Sequence, residues 1–317
     1  MGIPTEFLPA RLLATNQASL QGPALAGWTL EPILPGLQDR AIQFVTKAAR
    51  EKRPFFLYLP LTTPHTPLAV NQKWQGKSGL NLYADLVLET DAVVGAVVDA
   101  IDSAGQRDNT LIVFTSDNGC APYIGVEELE RLGHYPSGPL RGYKSDAWEG
   151  GHRVPYIVRW PAMVQGGRVC RQLVHHSDLI ATVADILGTT LAANAGEDSV
   201  SLLPLLRGSD KPVRETAVSH SSQGLPSIRR GDWKLICGRG SGGWGKGQDE
   251  HPAQLYNLAD DIGESRNLYA ERPELVEALT KLMEETVWNG RSTPGPTQKN
   301  DVEVNWRQYM SPPARAQ

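Results

Sequence analysis

Leu111-Ile112-Val113-Phe114-Thr115-Ser116-Asp117-Asn118-Gly119 reads as a short apolar strand that stops at a turn bearing a carboxylate and an amide. Upstream, Leu82, Leu86, Val93, Val97 and Ile101 recur at helical spacing, which predicts a long amphipathic helix leading into the strand. Before that helix stands Phe55-Phe56-Leu57-Tyr58-Leu59, apolar on both faces as a buried parallel strand should be. Strand, helix and strand make a βαβ unit. A Gly-rich loop then leads to a third expected strand, Tyr156–Trp160, stopped by Pro161, and to a helix from Ser177, with Ser177-Asp178 as its cap, to Gly188. The alternation predicts an α/β protein built on a doubly wound, mainly parallel sheet.

Further upstream, Asp39 is suited to cap a helix carrying Ile42, Val45 and Ala49 on one face and ending near Arg53-Pro54. The first 38 residues, with Pro4, Pro9, Pro23, Pro32 and Pro35, show neither helical nor alternating period and read as irregular chain. Beyond Gly208 the character changes. Thr216–Ser219, Ser227–Cys237 with a hairpin turn at Gly231-Asp232, and Gln254–Leu258 predict a small antiparallel sheet. A helix opening at Pro273 offers it Leu275, Leu279, Leu282 and Met283, and the tail beyond reads as extended. The expected division is residues 1–208 for the larger α/β portion and 209–317 for the smaller one.

Of 317 residues, 40% are hydrophobic and 21% charged, with a formal net charge of -4, so there is no basic excess to attract nucleic acid. Cys120, Cys170 and Cys237 are far apart and form no CxxC pair, which argues against a zinc knuckle or a dense disulfide framework. No apolar run approaches the roughly 20 residues that span a bilayer, and residues 1–38 lack a basic start followed by an apolar stretch.

In open α/β sheets, ligands bind beyond the carboxyl ends of the strands. There stand Thr63-Pro64-His65-Thr66-Pro67 after the first strand and Asp117-Asn118 after the second. Adjacent carboxylate and amide oxygens suit calcium or magnesium better than zinc, although Asp-Asn-Gly also suits a plain turn. His65, between prolines, is either a proton donor or a structural imidazole. Leading into the third strand is Leu140-Arg141-Gly142-Tyr143-Lys144-Ser145-Asp146-Ala147-Trp148-Glu149-Gly150-Gly151-His152-Arg153-Val154-Pro155.

This last run resembles the sulfatase pattern LRGxKxxxxEGGxRVP, and it stands downstream of an FTSDNG strand end as it does in that family. Residues 54–69, PFFLYLPLTTPHTPLA, resemble the sulfatase strand and histidine loop, and Tyr83–Asp91 the Y-x-x-x-V-x-x-x-D start of the family's helix. Residues 219–288 are similar to the C-terminal subdomain of bacterial arylsulfatase-like proteins, with Ile228–Leu235 and Gln254–Leu258 as the matching strings. The resemblance implies an alkaline-phosphatase-like fold and hydrolysis of aryl or carbohydrate sulfate monoesters. It further implies that Asp117 and Asn118 hold calcium, that Lys144 contacts the sulfate, and that His65 binds sulfate or protonates the leaving oxygen. His220, beside Ser219, Ser221 and Ser222, either reaches the substrate or plays a structural part. The family's export to the periplasm or outside the cell would follow as well.

The family's paired aspartates and its Cys/Ser-x-Pro-x-Arg string, whose first residue becomes a formylglycine nucleophile, do not stand where the resemblance would put them. Ser137-Gly138-Pro139-Leu140-Arg141 matches formally but overlaps the lysine run, and Cys120-Ala121-Pro122-Tyr123-Ile124 has no arginine. The chain is therefore read as a C-terminal portion, in which a non-catalytic fragment remains an alternative. A phosphoesterase or phosphomutase of the same superfamily is a further one, less favoured because Asn118 stands where those enzymes put a histidine. Gly240–Gly247 imitates a phosphate loop but ends in glycine where Ser or Thr is needed, and reads as a surface or substrate-edge loop. His175-His176 reads as structural.

Overall fold

The computed structural model describes residues 5–8, 12–14, 17–18 and 22–310, with side chains from residue 23 onward. Two compact units emerge, one comprising Met1–Ile112, Ala121–Pro136 and Trp160–Ala162, the other Val113–Cys120, Ser137–Arg159 and Met163–Gln317.

The first unit opens with β1 (Thr5–Leu8), β2 (Leu12–Ala14), β3 (Gln17–Ala18) and β4 (Gly22–Leu25). β1 pairs antiparallel with β4, and β2 with β3, so part of the segment expected to be irregular is nested hairpin. Helix α1 (Ile33–Arg50) begins before the expected Asp39 cap. Pro35 lies in its first turn, where backbone N–H groups have no intrahelical partner to lose. Leu34 then joins Ala41, Val45 and Ala48 on the buried face. Helix α2 (Leu82–Ser103) follows the expected period, and the Asn81 side chain accepts from Ala84 N at 3.1 Å to cap it. α1 and α2 meet through Ala41, Val45, Val97 and Ile101, and Phe55, Leu57, Leu59 and Ile112 pack against that core.

Residues 55–59 are not a strand. Phe55, Leu57 and Leu59 are partly buried on one side, while Phe56 and Tyr58 are 75% and 78% exposed, so the segment is not covered on both faces. An apolar alternation can seat one face on a helix pair without closing a hydrogen-bonded ladder, and that is the state of this segment among the described residues. The short helix α3 (Val126–Arg131) completes the unit.

In the second unit, β5 (Ile112–Thr115) is hydrogen-bonded to β6 (Tyr156–Arg159), with the single-turn helix α4 (Glu149–His152) before β6. Helix α5 (Asp178–Ile186) lacks the expected side-chain cap. Ser177 Oγ donates to Asp198 O at 2.9 Å, while the Asp178 carboxylate accepts from His175 N and Val200 N and pairs with the buried Arg214. α6 (Leu203–Leu206) leads to a four-stranded antiparallel sheet ordered β10-β9-β8-β7, from β7 (Thr216–His220), β8 (Pro226–Arg230), β9 (Trp233–Ile236) and β10 (Gln254–Asn257). The turn at Gly231-Asp232 is where the sequence places it.

Strand alternation divides this sheet's residues between two faces. Ile228, Leu235, Cys237 and Leu255 pack against Leu279 and Met283 of α7 (Pro273–Asn289). Trp306 joins them from a helical turn, Trp306–Met310, so the tail is not simply extended. On the other face, Ile236, Tyr256 and Leu258 pack against Ala147 and Trp148. The small sheet is thus a sandwich filling, with Ala147 and Trp148 of the lysine run as its second cover. The α/β architecture with a C-terminal antiparallel sheet and helix agrees with the sequence expectation.

Candidate functional site

The Asp117-Asn118 turn and the Lys144 segment are joined through their backbones. Lys144 N donates to Cys120 O at 2.8 Å, and Gly119 N to Gly151 O at 3.0 Å. Glycine is required for this approach: a Cβ on Gly119 would lie 1.8 Å from the Gly150 carbonyl oxygen, and one on Gly150 2.2 Å from that of Gly142. Gly119 thus lets the DNG turn touch the EGG turn, while Gly150 lets the EGG turn fold back on the start of its own run.

Lys144 itself is half-buried, and its ammonium has no hydrogen-bond or ion-pair partner among the described residues. The next residue, Ser145, has φ +83, the left-handed region that a serine enters only at a cost of order 1 kcal/mol or more. Its carbonyl accepts from Ser222 N at 2.9 Å, which brings the loop after β7 against the lysine turn. His220, exposed at the end of β7, stands two residues before that contact.

Asp117 is exposed, and Asn118 half-buried with its side-chain amide donating to Gly119 O at 3.0 Å. Thr115 Oγ1 donates to Pro155 O and lies 2.8 Å from His176 Nε2, so that histidine supports the strand end, in keeping with a structural reading. Ser137 donates its hydroxyl proton to Gly142 O at 3.2 Å, a turn-closing role. His65 belongs to the first unit. It is exposed, its Nδ1 lies 2.5 Å from Thr66 O, and Thr63 ties its loop to α2 through Thr90 at 2.8 Å. Of the predicted residues, Asp117, Asn118, Lys144 and His220 share the second unit.

Calcium fits the donors in kind, since a carboxylate and an amide oxygen are hard ligands. It does not fit them in number: among the described residues no group of three or more His, Cys, Asp or Glu side chains could hold a metal ion.

Beneath the lysine turn lies a charged cluster that sequence reading missed. Lys234, 1% exposed, lies 2.9 Å from Glu149 Oε1 and 2.9 Å from Glu264 Oε1, the latter an ion contact without hydrogen-bond alignment. Arg153 and Arg229 approach the other Glu149 oxygen at 3.2 and 3.6 Å. Burial works against ionising Glu149, but Lys234, with His152 and Arg229, outweighs it and holds the carboxyl down to about 2. Glu264 is raised, because burial there prevails over Lys234. Burial and then Lys234 push His152 down to about 4. Arg141 is also committed: it donates to Glu264 O at 2.7 Å and stacks 3.7 Å from the Trp148 ring centroid. The available signal was a lysine at an inward position of a strand, flanked by Trp233 and Leu235.

Residues 33–189 match the family model Sulfatase. N-acetylgalactosamine-6-O-sulfatase of Bacteroides thetaiotaomicron is 35% identical over 274 residues, covering 84% of this chain and 53% of the relative. Human arylsulfatase A is 32% identical over 295 residues, covering 84% of this chain and 57% of its own length. A structure from work on the metabolism of multiple glycosaminoglycans by Bacteroides thetaiotaomicron superposes with TM-score 0.75 at 34% identity, covering 84% of this chain and 56% of that one. Ps i-CgsB in complex with a neocarrahexaose gives TM-score 0.69 at 28% identity, over 87% of this chain and 60% of the other. The chain therefore spans little more than half the length of these relatives. With a matching domain over residues 33–189 and relatives aligned along most of its length, this chain belongs to the sulfatase family.

Proposed function

We propose that this chain supplies part of the site of a sulfuric ester hydrolase acting on aryl or carbohydrate sulfate monoesters, mostly from an α/β portion of residues 1–208, with the small C-terminal subdomain 209–317 adding to its edge. The observation that carries the proposal is the half-buried ammonium of Lys144, unpaired among the described residues, on a turn pinned from two sides. An ammonium removed from bulk water without a carboxylate partner is poised for an external anion, and a sulfate ester presents anionic oxygens. The named relatives, an N-acetylgalactosamine-6-O-sulfatase and arylsulfatases, act on such esters by their names.

Cleaving the S–O bond leaves an oxyanion that must be neutralised. We assign the proton to His65, the sulfate contact to Lys144 with His65 and His220 as further substrate-binding groups, and calcium ligation to Asp117 and Asn118. Calcium, when bound, would supply additional positive charge to the sulfate oxygens. No residue of this chain is assigned the nucleophile, the family's formylglycine. The chain alone should then bind a sulfate ester without turning it over.

The test is a titration of phenyl sulfate into the purified chain followed by ligand-observed NMR, together with an aryl-sulfate assay. Lys144→Ala should abolish binding while leaving the unfolding midpoint in place. Equal binding by Lys144→Ala would sink the assignment, and turnover lost on Ser137→Ala would show that the SGPLR serine is a nucleophile after all.

A further inference from the structure

We propose that the glycine-rich segment 240–247 is the wall that selects the group carrying the sulfate, with Trp244 offering its indole face to a sugar ring. This rests on Lys144 as the sulfate contact. Among the described residues, this loop both touches the lysine turn and exposes a large aromatic side chain.

The loop is locked against that turn. Ala147 N donates to Ser241 O at 2.8 Å, and Ser241 is 2% exposed. Asp146, also 2% exposed, holds both sides at once: Oδ1 accepts from Gly245 N at 2.8 Å and Oδ2 from Tyr143 N at 2.9 Å. Gly243 and Gly245 flank Trp244 and let it approach. A Cβ on Gly243 would meet the Ser145 carbonyl oxygen at 2.3 Å, and one on Gly245 the Trp148 ring at 2.4 Å. The backbone of Trp244 is therefore held beside the residue that follows Lys144, and its side chain, anchored on a rigid base, is 45% exposed.

One border of the loop is polar. Gln223 N donates to Gly242 O at 3.1 Å, and Ser222 N to Ser145 O at 2.9 Å, so the loop after β7 borders the same spot. His220, Ser222, Gln223 and Lys246 are all exposed. One aromatic face among hydrogen-bonding groups suits a pyranose, whose C–H face stacks while its hydroxyls need partners; an aryl group would call for further apolar walls.

The experiment compares a hexose 6-sulfate, phenyl sulfate, inorganic sulfate and the unsulfated hexose as ligands of the full chain by NMR or calorimetric titration. Wild type should bind the hexose sulfate most tightly. Trp244→Ala should weaken it about tenfold, the order an aromatic stack contributes, while inorganic sulfate binding stays unchanged; Trp244→Phe should recover most of the loss. Unchanged hexose sulfate binding in Trp244→Ala overturns the proposal, as does wild type that binds hexose sulfate no better than inorganic sulfate. A larger loss for phenyl sulfate would make the wall an aryl site, and equal loss of inorganic sulfate would make it a mere support for Lys144; either result also overturns it. The underlying reading fails separately, when Lys144→Ala weakens none of the sulfated ligands.

Discussion

Two lysines of the second unit show how differently one sequence can treat the same charge. Lys234, central in a β-strand, is 1% exposed and sits between Glu149 and Glu264. Lys144, on a turn with a left-handed neighbour, is half-buried and has no partner among the described residues. Burying an ammonium costs several kcal/mol unless carboxylates compensate, so the first arrangement is a structural solution. The second has no carboxylate of the described residues to compensate it, which is what the proposed sulfate contact would supply. The two are coupled through Glu149, since the helical turn that begins there also carries Gly150 and Gly151, which seat the Asp117-Asn118 turn.

The sharpest break of this comparison is to remove each ammonium. Lys234→Met leaves Glu149 and Glu264 buried without their shared cation, and should lower the unfolding free energy by about 3–5 kcal/mol in urea titration. Lys144→Met should change it by less than about 0.5 kcal/mol. Replacing Lys234, Glu149 and Glu264 together by apolar residues of similar size should restore most of the loss, because the charges left behind, Arg153 and Arg229, still reach solvent. Comparable effects of the two single substitutions would erase the distinction between a structural and a ligand-directed lysine.

Next in size is Gly150→Ala. The added Cβ would fall 2.2 Å from the Gly142 carbonyl oxygen, a clash with backbone rather than with a movable side chain. Overpacking of this kind costs about 1–3 kcal/mol. Because the same glycine receives the Asp117-Asn118 turn, sulfate-ester binding should fall along with stability. A variant as stable as wild type would show that the loops separate freely.

Acid should sharpen the comparison further. His152 titrates at about 4 in the folded chain against an ordinary 6.5, so the unfolded chain binds more protons between those values and stability falls as pH drops through that window. Glu149, held at about 2 against an ordinary 4.5, adds a second loss below pH 4.5. Glu264, being raised, opposes these losses just above its ordinary value. Melting temperatures measured from pH 7 to 4 should decline in wild type and decline less in His152→Gln; parallel curves would exclude His152 as the source.

Part of this was legible from the sequence. The period of Leu82 to Ile101 found α2, and Gly231-Asp232 between two apolar runs found the β8–β9 hairpin, because both signals are local. The strand expected at residues 55–59 was not: apolar residues report burial, whereas a ladder needs a partner whose presence no local pattern records. α1 was expected too late because Pro35 looked like a breaker, though a first-turn proline is compatible with a helix. The Glu149–Lys234–Glu264 cluster was invisible because its members meet only through the alternation of β9, which turns Lys234 and Ile236 toward Trp148 and Leu235 toward α7. The lysine motif singled out Lys144, but not that its glycines serve close approaches of backbone to backbone.

The smallest expected effect concerns calcium. Asp117 is exposed and Asn118 half-buried, and two oxygen donors fall well short of the 6–8 that calcium takes. Binding to the native state stabilises by RT ln(1 + [L]/Kd), which is only about 0.4 kcal/mol when calcium equals its Kd. Millimolar calcium should therefore move the melting temperature of this chain by about a degree or two at most. Asp117→Ala should remove even that shift while leaving the calcium-free melting temperature unchanged, since an exposed carboxylate with few partners contributes little to the fold. The contrast with Lys234 would then be complete: an exposed carboxylate proposed for a ligand could be deleted without structural loss, whereas a residue enclosed by its own protein could not. Tight stoichiometric calcium binding in a calorimetric titration would overturn this, and would mean that further oxygen ligands gather around the Asp117-Asn118 turn.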